Sequence, residues 1–403
     1  MQHSIYPQTD FIKGRCDYLA SANSNSIVFI SLCMVVFLKS TLYDLLPGLG
    51  SVCNVALVVL LLYFVAVMLG CRLSSRLLAI MTLYFVWDIV LAPCLAGTTP
   101  PSAFFACEAL ACAMFFYQGL SFHPSRFLHN LSCVFAFASL LNLVMLLMFP
   151  EGVYSTEDTA CWLFGNRTSM PLVFMPAICI SLASDSFSGR KTFSPATWIN
   201  ILAALTCVLL RWVATGIIQL LVVAALYLYL LRKKSFSILF VFGAIICGGF
   251  LLLALGPSDL WQNFFEALGR EATLTGRTEI WAHTFMHVSE SPWFGWGDEN
   301  YVVINNVIKA AHCLWLSVLQ ESGIFGLLIY ASIMVYVIVL LARRPTPLSY
   351  VAFCCLAGIL VASFVEIQTY YPFFYGVLIV CCFTANDTSK STIPLPVNTR
   401  RLK

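Results

Sequence analysis

The chain has 403 residues, 60% of them apolar and only 10% charged, with a mean hydropathy of +0.88. A soluble globular chain does not reach that balance, so the composition excludes one and implies an all-α, polytopic integral membrane protein. The formal net charge of +3 gives no basis for a nucleic-acid partner or an acidic substrate.

About twelve charge-poor stretches of roughly 20 residues follow one another, each long enough at 1.5 Å per residue to cross a hydrocarbon core of about 30 Å. Residues 1–26 are polar and carry Lys13 and Arg15, with no small-residue cleavage site after a short apolar core. The first span therefore reads as a retained helix behind a cytoplasmic segment. Nine spans are predicted within 27–256, at 27–46, 51–70, 77–95, 101–120, 131–149, 169–183, 196–210, 212–231 and 236–256. A long outward loop fills 257–322, three more spans (323–341, 350–365 and 372–384) fill 323–384, and a polar cytoplasmic tail covers 385–403. Nearly all of the 17 cysteines lie inside apolar runs as small packers, with Cys161 in an outward loop and Cys313 at a loop end, so no disulfide framework is expected.

Lys and Arg near span ends set orientation. With both termini cytoplasmic, all but six of the 22 basic residues fall inside, including Arg72, Arg76, Arg190, Lys191, the run Arg232, Lys233, Lys234, and the pair Arg343, Arg344. The six outside are Lys39, Arg167, Arg211, Arg270, Arg277 and Lys309, against the local bias. Arg211 interrupts an apolar hairpin at its outer turn, while Arg270, Arg277 and Lys309 lie in the long loop.

That loop has internal structure. Ile280, Trp281, Phe285 and Val288 predict an amphipathic helix over 279–289 at the membrane surface, capped by Thr275 or Thr278. The run SPWFGWG then turns: Pro292 ends the helix, and Gly295 and Gly297 permit tight backbone beside three aromatics at headgroup depth. A second helix is expected from Ala310, with His312 in its first turn, running past Trp315 and Leu319 to bend at Gly323.

These residues resemble those of the bacterial O-antigen ligase and Wzy-polymerase superfamily of membrane glycosyltransferases. GREATLTGRTEIW is most similar to the exopolysaccharide-polymerase, ExoQ-like branch, and the turn SPWFGWG and the spaced set His312, Glu321, Gly323 follow in the family's order. The explicit likeness covers about 60 residues and separates the branches poorly. It implies a GT-C-like bundle of about twelve helices with a large periplasmic loop in the bacterial inner membrane. It further implies glycosyl transfer from an undecaprenyl-diphosphate-linked glycan, with no cofactor and no required metal. A flippase and a chain-length regulator would accompany a polymerase.

By the same resemblance the loop arginine falls on Arg277, the family histidine on His312, and the membrane-edge arginine on Arg211, with Arg270 as a further diphosphate ligand and Glu321 and Trp281 in support. Two departures stand out. The mid-chain hairpin reads LLRWVATG where relatives carry Ser-Arg or Ser-Lys followed by Thr, and Cys313 stands where Asn commonly follows the histidine. The chemistry is coherent on physical grounds. A diphosphate leaving group gains charge as the sugar–phosphate bond breaks, and guanidinium forks match its oxygens in pairs. A neutral histidine can take the acceptor hydroxyl's proton, and nearby arginines favour that neutral form.

Other readings sit beside these. His283 and His287, at i and i+4, have no further ligand at a convincing zinc spacing. Asp88 and Glu108 lie within predicted spans, where they either line a carrier cleft or serve as structural hydrogen-bond anchors. Trp281, Trp293 and Trp296 either stack on sugars or anchor at the interface. The function alternatives are an O-antigen ligase acting on lipid A–core, a protein O-glycosylating relative, and a transporter of lipid-linked oligosaccharides. The last predicts polar residues buried along many helices and an inverted repeat, and the sequence reads as having neither.

Overall fold

In lipid every backbone N–H must find its partner within its own segment, so the long apolar runs become helices. The computed structural model describes residues 21–23, 26–38, 48–156, 159–255, 277–299, 301–304, 307–343, 345–367, 371–386 and 393. In chain order the helices are α1 (Ile27–Phe37), α2 (Leu49–Gly70), α3 (Arg76–Ala96), α4 (Ala103–Phe122), α5 (Pro124–Met148), α6 (Met170–Phe187), α7 (Pro195–Leu210), α8 (Ala214–Lys233) and α9 (Ile238–Leu255). After these come α10 (Arg277–Glu290), α11 (Leu314–Arg343), α12 (Pro347–Ala362) and α13 (Pro372–Asn386). Among the described residues, seven helices (α2, α3, α4, α5, α6, α8 and α11) are long and apolar enough to cross a membrane, and five shorter apolar ones accompany them. The chain is an all-α, multi-pass membrane protein.

Helices α6, α12 and α13 form the interior, with nearly every residue of α6 and α12 buried. The others pack around them and turn apolar side chains such as Val28, Leu69, Phe137 and Phe240 outward, as a lipid solvent requires. Helix α5 begins at Pro124, seven residues before the predicted start at Leu131. The polar stretch extends the helix because Phe127 and Leu128 are fully buried there. The Phe127 ring meets Phe115 and Phe116 of α4 at 5.1 and 5.8 Å, over Gly119, where any Cβ would collide with it.

Helix α3 holds a π turn at Trp87–Leu91. Pro93, two residues beyond, has no N–H to give, and the Ala92 amide reaches back to the Trp87 carbonyl, five residues away.

One expectation is corrected. Polar residues are buried between α5, α6 and α7: Ser132, Ser139, Asn142, Ser181 and Asn200 are all at most 1% exposed. Asn200 Nδ2 donates to Ser181 Oγ at 2.7 Å, Ser132 Oγ to Ser181 Oγ at 2.8 Å, and Ser139 Oγ to Asn200 Oδ1 at 2.8 Å. Small hydroxyls hidden in apolar runs escape a reading that looks for charge. Ser132, Ser139, Ser181 and Asn200 answer one another, and Asn142 meets Cys207 and the Phe164 amide, so they act as interhelical ties.

Two small sheets cap one end of the bundle: β1 (Tyr154–Thr156), β2 (Thr159–Trp162) and β3 (Gly165–Asn166) form an antiparallel meander, and β4 (Val302–Ile304) pairs with β5 (Val307–Lys309). The basic residues Arg72, Arg76, Arg190, Lys191, Arg232, Lys233 and Arg343 sit at or beside helix ends on the other side.

Candidate active site

Three chain segments converge at the sheet-bearing end: the start of α10, the stretch before α11, and the chain leaving α12. Arg277 is the first residue of α10. Its guanidinium donates to the Val365 carbonyl and, through Nη2, to Glu366 Oε1 at 3.1 Å. Both side chains are largely enclosed, 15% exposed for Arg277 and 10% for Glu366. Burying either charge alone is costly, so each fixes the other. A guanidinium has five N–H donors, and these bonds leave others for a ligand. Because α10 begins at Arg277, Thr278 lies inside the helix; Thr275 lies outside the described residues.

His312 sits ahead of α11, not in its first turn. Its backbone is left-handed, with φ of 48°, a conformation an L side chain adopts only under constraint. The constraint is visible on either side. Trp281 Nε1 of α10 donates to the Ala311 carbonyl at 2.9 Å, and the Leu314 amide donates to the Ser363 carbonyl at 2.8 Å. The imidazole-bearing residue is half-buried between Ala311 and Cys313, which are closed off. Burial pushes the Cys313 thiol up to about 11, and the positive Arg277 is close enough to pull it back in part. Cys313 is thus a neutral packer, and Arg277 lies beside the turn that holds His312.

The SPWFGWG run is built onto a break in α11. Gly323 interrupts that helix with φ 66° and ψ −170°. The groups around the break are met by the turn: the Ile324 amide donates to Pro292 O at 2.8 Å, and the Trp296 amide to Gln320 O at 2.8 Å. A Cβ on Gly323 would lie 2.3 Å from the Trp293 carbonyl, and one on Gly295 2.4 Å from the Glu321 carbonyl oxygen. The Asp298 amide bonds Thr99 O at 2.9 Å, tying the same turn to the end of α3. Glu321 is half-buried at this joint.

Arg211 terminates α7, and its guanidinium carbon lies 4.4 Å above the Trp162 ring of β2. That ring is buried, with Nε1 donating to Phe149 O at 2.8 Å. Tyr371 sits next in line. Burial pushes its hydroxyl up, Glu366 and Cys161 add to this, and a hydrogen bond with Ser169 opposes it.

Of the residues expected here, Arg277, Trp281 and His312 lie where the start of α10 meets the stretch before α11 and the chain leaving α12, Glu321 stands at the Gly323 joint, Arg211 lies over Trp162, and Arg270 lies outside the described residues. Within α10, Ile280, Trp281, Thr284 and Val288 are buried against the protein, and Phe285 is 49% exposed. Trp281 is a buried strut, and Trp296 stacks on His287 at 4.5 Å; Trp293 alone of the three is exposed, at 55%. His287 Nδ1 pairs with Gln320 Nε2 at 2.8 Å, and His283 is exposed. Asp88 is hydrogen-bonded by Ser322 Oγ, which makes it an anchor. The sequence reading missed Glu366. Its signal was a single acid at the end of an apolar span, in the same position relative to lipid as Arg211.

Residues 198–331 match the O-antigen ligase family, Wzy_C. The matched region runs from α7 into α11 and holds Arg211, Arg277, His312 and Glu321, so the resemblance read from the loop motifs holds. The chain is also 29% identical over 273 residues to "Exopolysaccharide production protein ExoQ" of Rhizobium meliloti (strain 1021), a likeness that spans 60% of this chain and 60% of that protein's length. These likenesses are to a ligase family and to an exopolysaccharide production protein.

Proposed function

We propose that the chain polymerises undecaprenyl-diphosphate-linked repeat units into O-antigen or exopolysaccharide at the periplasmic face of the inner membrane. The observation that carries this reading is the meeting of Arg277, its buried partner Glu366 and the strained turn bearing His312 at the end of the bundle away from the basic helix ends. Positive residues favour the cytoplasmic side, which supports an outward-facing site.

In the proposed reaction a hydroxyl of the incoming unit attacks the anomeric carbon of the growing chain. His312 takes the hydroxyl proton, the C–O bond to phosphate breaks, and the lipid diphosphate leaves with that electron pair. Arg277, held by Glu366 and Val365, presents its remaining N–H groups to the leaving oxygens, and Arg211 supports the far phosphate from the rim. No metal has a role in this scheme. The family description favours a second reading, transfer of the same donor glycan to lipid A–core, which changes the acceptor and keeps the machinery.

Purified protein in detergent, given undecaprenyl-diphosphate-linked oligosaccharide, is expected to release undecaprenyl diphosphate and yield longer glycans. Movement of that lipid across liposomes without bond cleavage would replace the enzyme by a transporter. His312→Ala should lower elongation by about 10² to 10⁴ with insertion intact, and near-normal products would remove it from the mechanism. Arg211→Ala should raise KM for the donor about tenfold with kcat held within about twofold. A lowered melting temperature with unchanged KM would reduce Arg211 to a packing partner of Trp162.

A further inference from the structure

We propose that Asp88 is a positioning residue for this reaction, acting through Ser322 to fix the segment of α11 ahead of its break at Gly323, which begins beside His312 and includes Glu321. The inference rests on the glycosyl-transfer reading above. Asp88 is buried within the π turn of α3, far from Ser322 in sequence, yet Ser322 Oγ donates to its carboxylate. The residue before it grips the same partner by its backbone: Trp87 Nε1 donates to the Ser322 carbonyl at 3.0 Å. Consecutive residues of one helix thus hold both the side chain and the peptide of a single residue on another.

The place of that residue gives the grip its meaning. Ser322 is fully buried and stands directly before Gly323, where α11 loses its own continuous ladder. A segment cut off by such a break keeps its direction only through outside contacts. The Trp87 ring reinforces them from the other side of the break, 5.6 Å from Phe325 and 6.0 Å from Phe294 of the turn. The held residue directly follows Glu321 in the chain. A π turn departs from regular helix at a cost and recurs where side chains must be aimed; here it aims an acceptor. An ionisable group in an apolar bundle is expensive, and a bond used only for packing does not need one.

The test is a double-mutant cycle on the full chain in detergent, read both as elongation kinetics and as melting temperature. Asp88→Leu and Ser322→Ala are each expected to lower kcat about thirtyfold with donor KM within about twofold, and the double variant to be no worse than the poorer single. Asp88→Asn, which keeps an acceptor for the serine hydroxyl, should retain at least about half of the wild-type kcat with an unshifted pH profile. The melting-temperature losses of the singles should likewise fail to add. Additive losses in either readout would overturn the link, as would an Asn variant as impaired as the Leu variant, or a KM rise with kcat unchanged. The thermal arm does not depend on elongation. If the unaltered protein forms no polymer, the glycosyl-transfer reading fails, and additive melting losses would separately overturn the Asp88–Ser322 link.

Discussion

Arg277→Lys is expected to cut elongation by about 10²-fold or more while the protein still inserts and folds, the range seen when one preorganised donor to a developing negative charge is lost. Lysine keeps the charge, so an electrostatic attraction for the lipid diphosphate survives. It loses the fork. Arg277 donates at once to Val365 O and Glu366 Oε1, and only a planar group with several fixed N–H vectors can do so and still address a phosphate. An ammonium drawn to Glu366 would face away from the donor. Glu366→Gln should cost less than Arg277→Lys, because the bond to Val365 O continues to hold the arginine. Membrane preparations with equal protein levels, assayed for polymer length and for released lipid diphosphate, decide the matter. Near-normal polymer from the lysine variant would take Arg277 out of the chemistry.

Gly323→Ala should lower stability by on the order of 3 kcal/mol. Two causes act together. With φ 66° and ψ −170° the residue occupies a region nearly closed to side chains, and the added Cβ would sit 2.3 Å from the Trp293 carbonyl and 2.4 Å from the Phe294 amide. Neither contact is the end of a flexible side chain that can swing away. Either α11 straightens and sheds the SPWFGWG turn, or the turn shifts and carries Pro292 and Trp296 off their bonds. The measurement is melting in detergent alongside elongation. A variant within about one degree of the parent would show that the break is not required.

The bundle was legible in the sequence because lipid imposes one pattern. A stretch such as 51–70 has no alternative to a helix, and the observed Leu49–Gly70 differs from it by two residues. Arg277 and His312 were singled out by the resemblance of their surroundings to a family motif, a local signal. What escaped depends on distant parts of the chain. Glu366 acquires meaning only because Arg277 arrives from 89 positions away. The polar residues between α5, α6 and α7 look incidental until the helices are laid side by side. His312 was expected in a helix since nothing in AAHCLW forbids one; the bonds to Ala311 and Leu314, from Trp281 and to Ser363, hold it out. The three strands at Tyr154–Asn166 are too short for periodicity to register.

The splice between the SPWFGWG turn and the interrupted α11 also bears on how the chain is made. Synthesis runs from Pro292 toward Gly323, so the carbonyls that will receive the Ile324 and Phe325 amides already exist when those amides leave the ribosome. The later segment is thus delivered to a waiting template, and the interruption need never face hydrocarbon with its hydrogen-bonding groups bare.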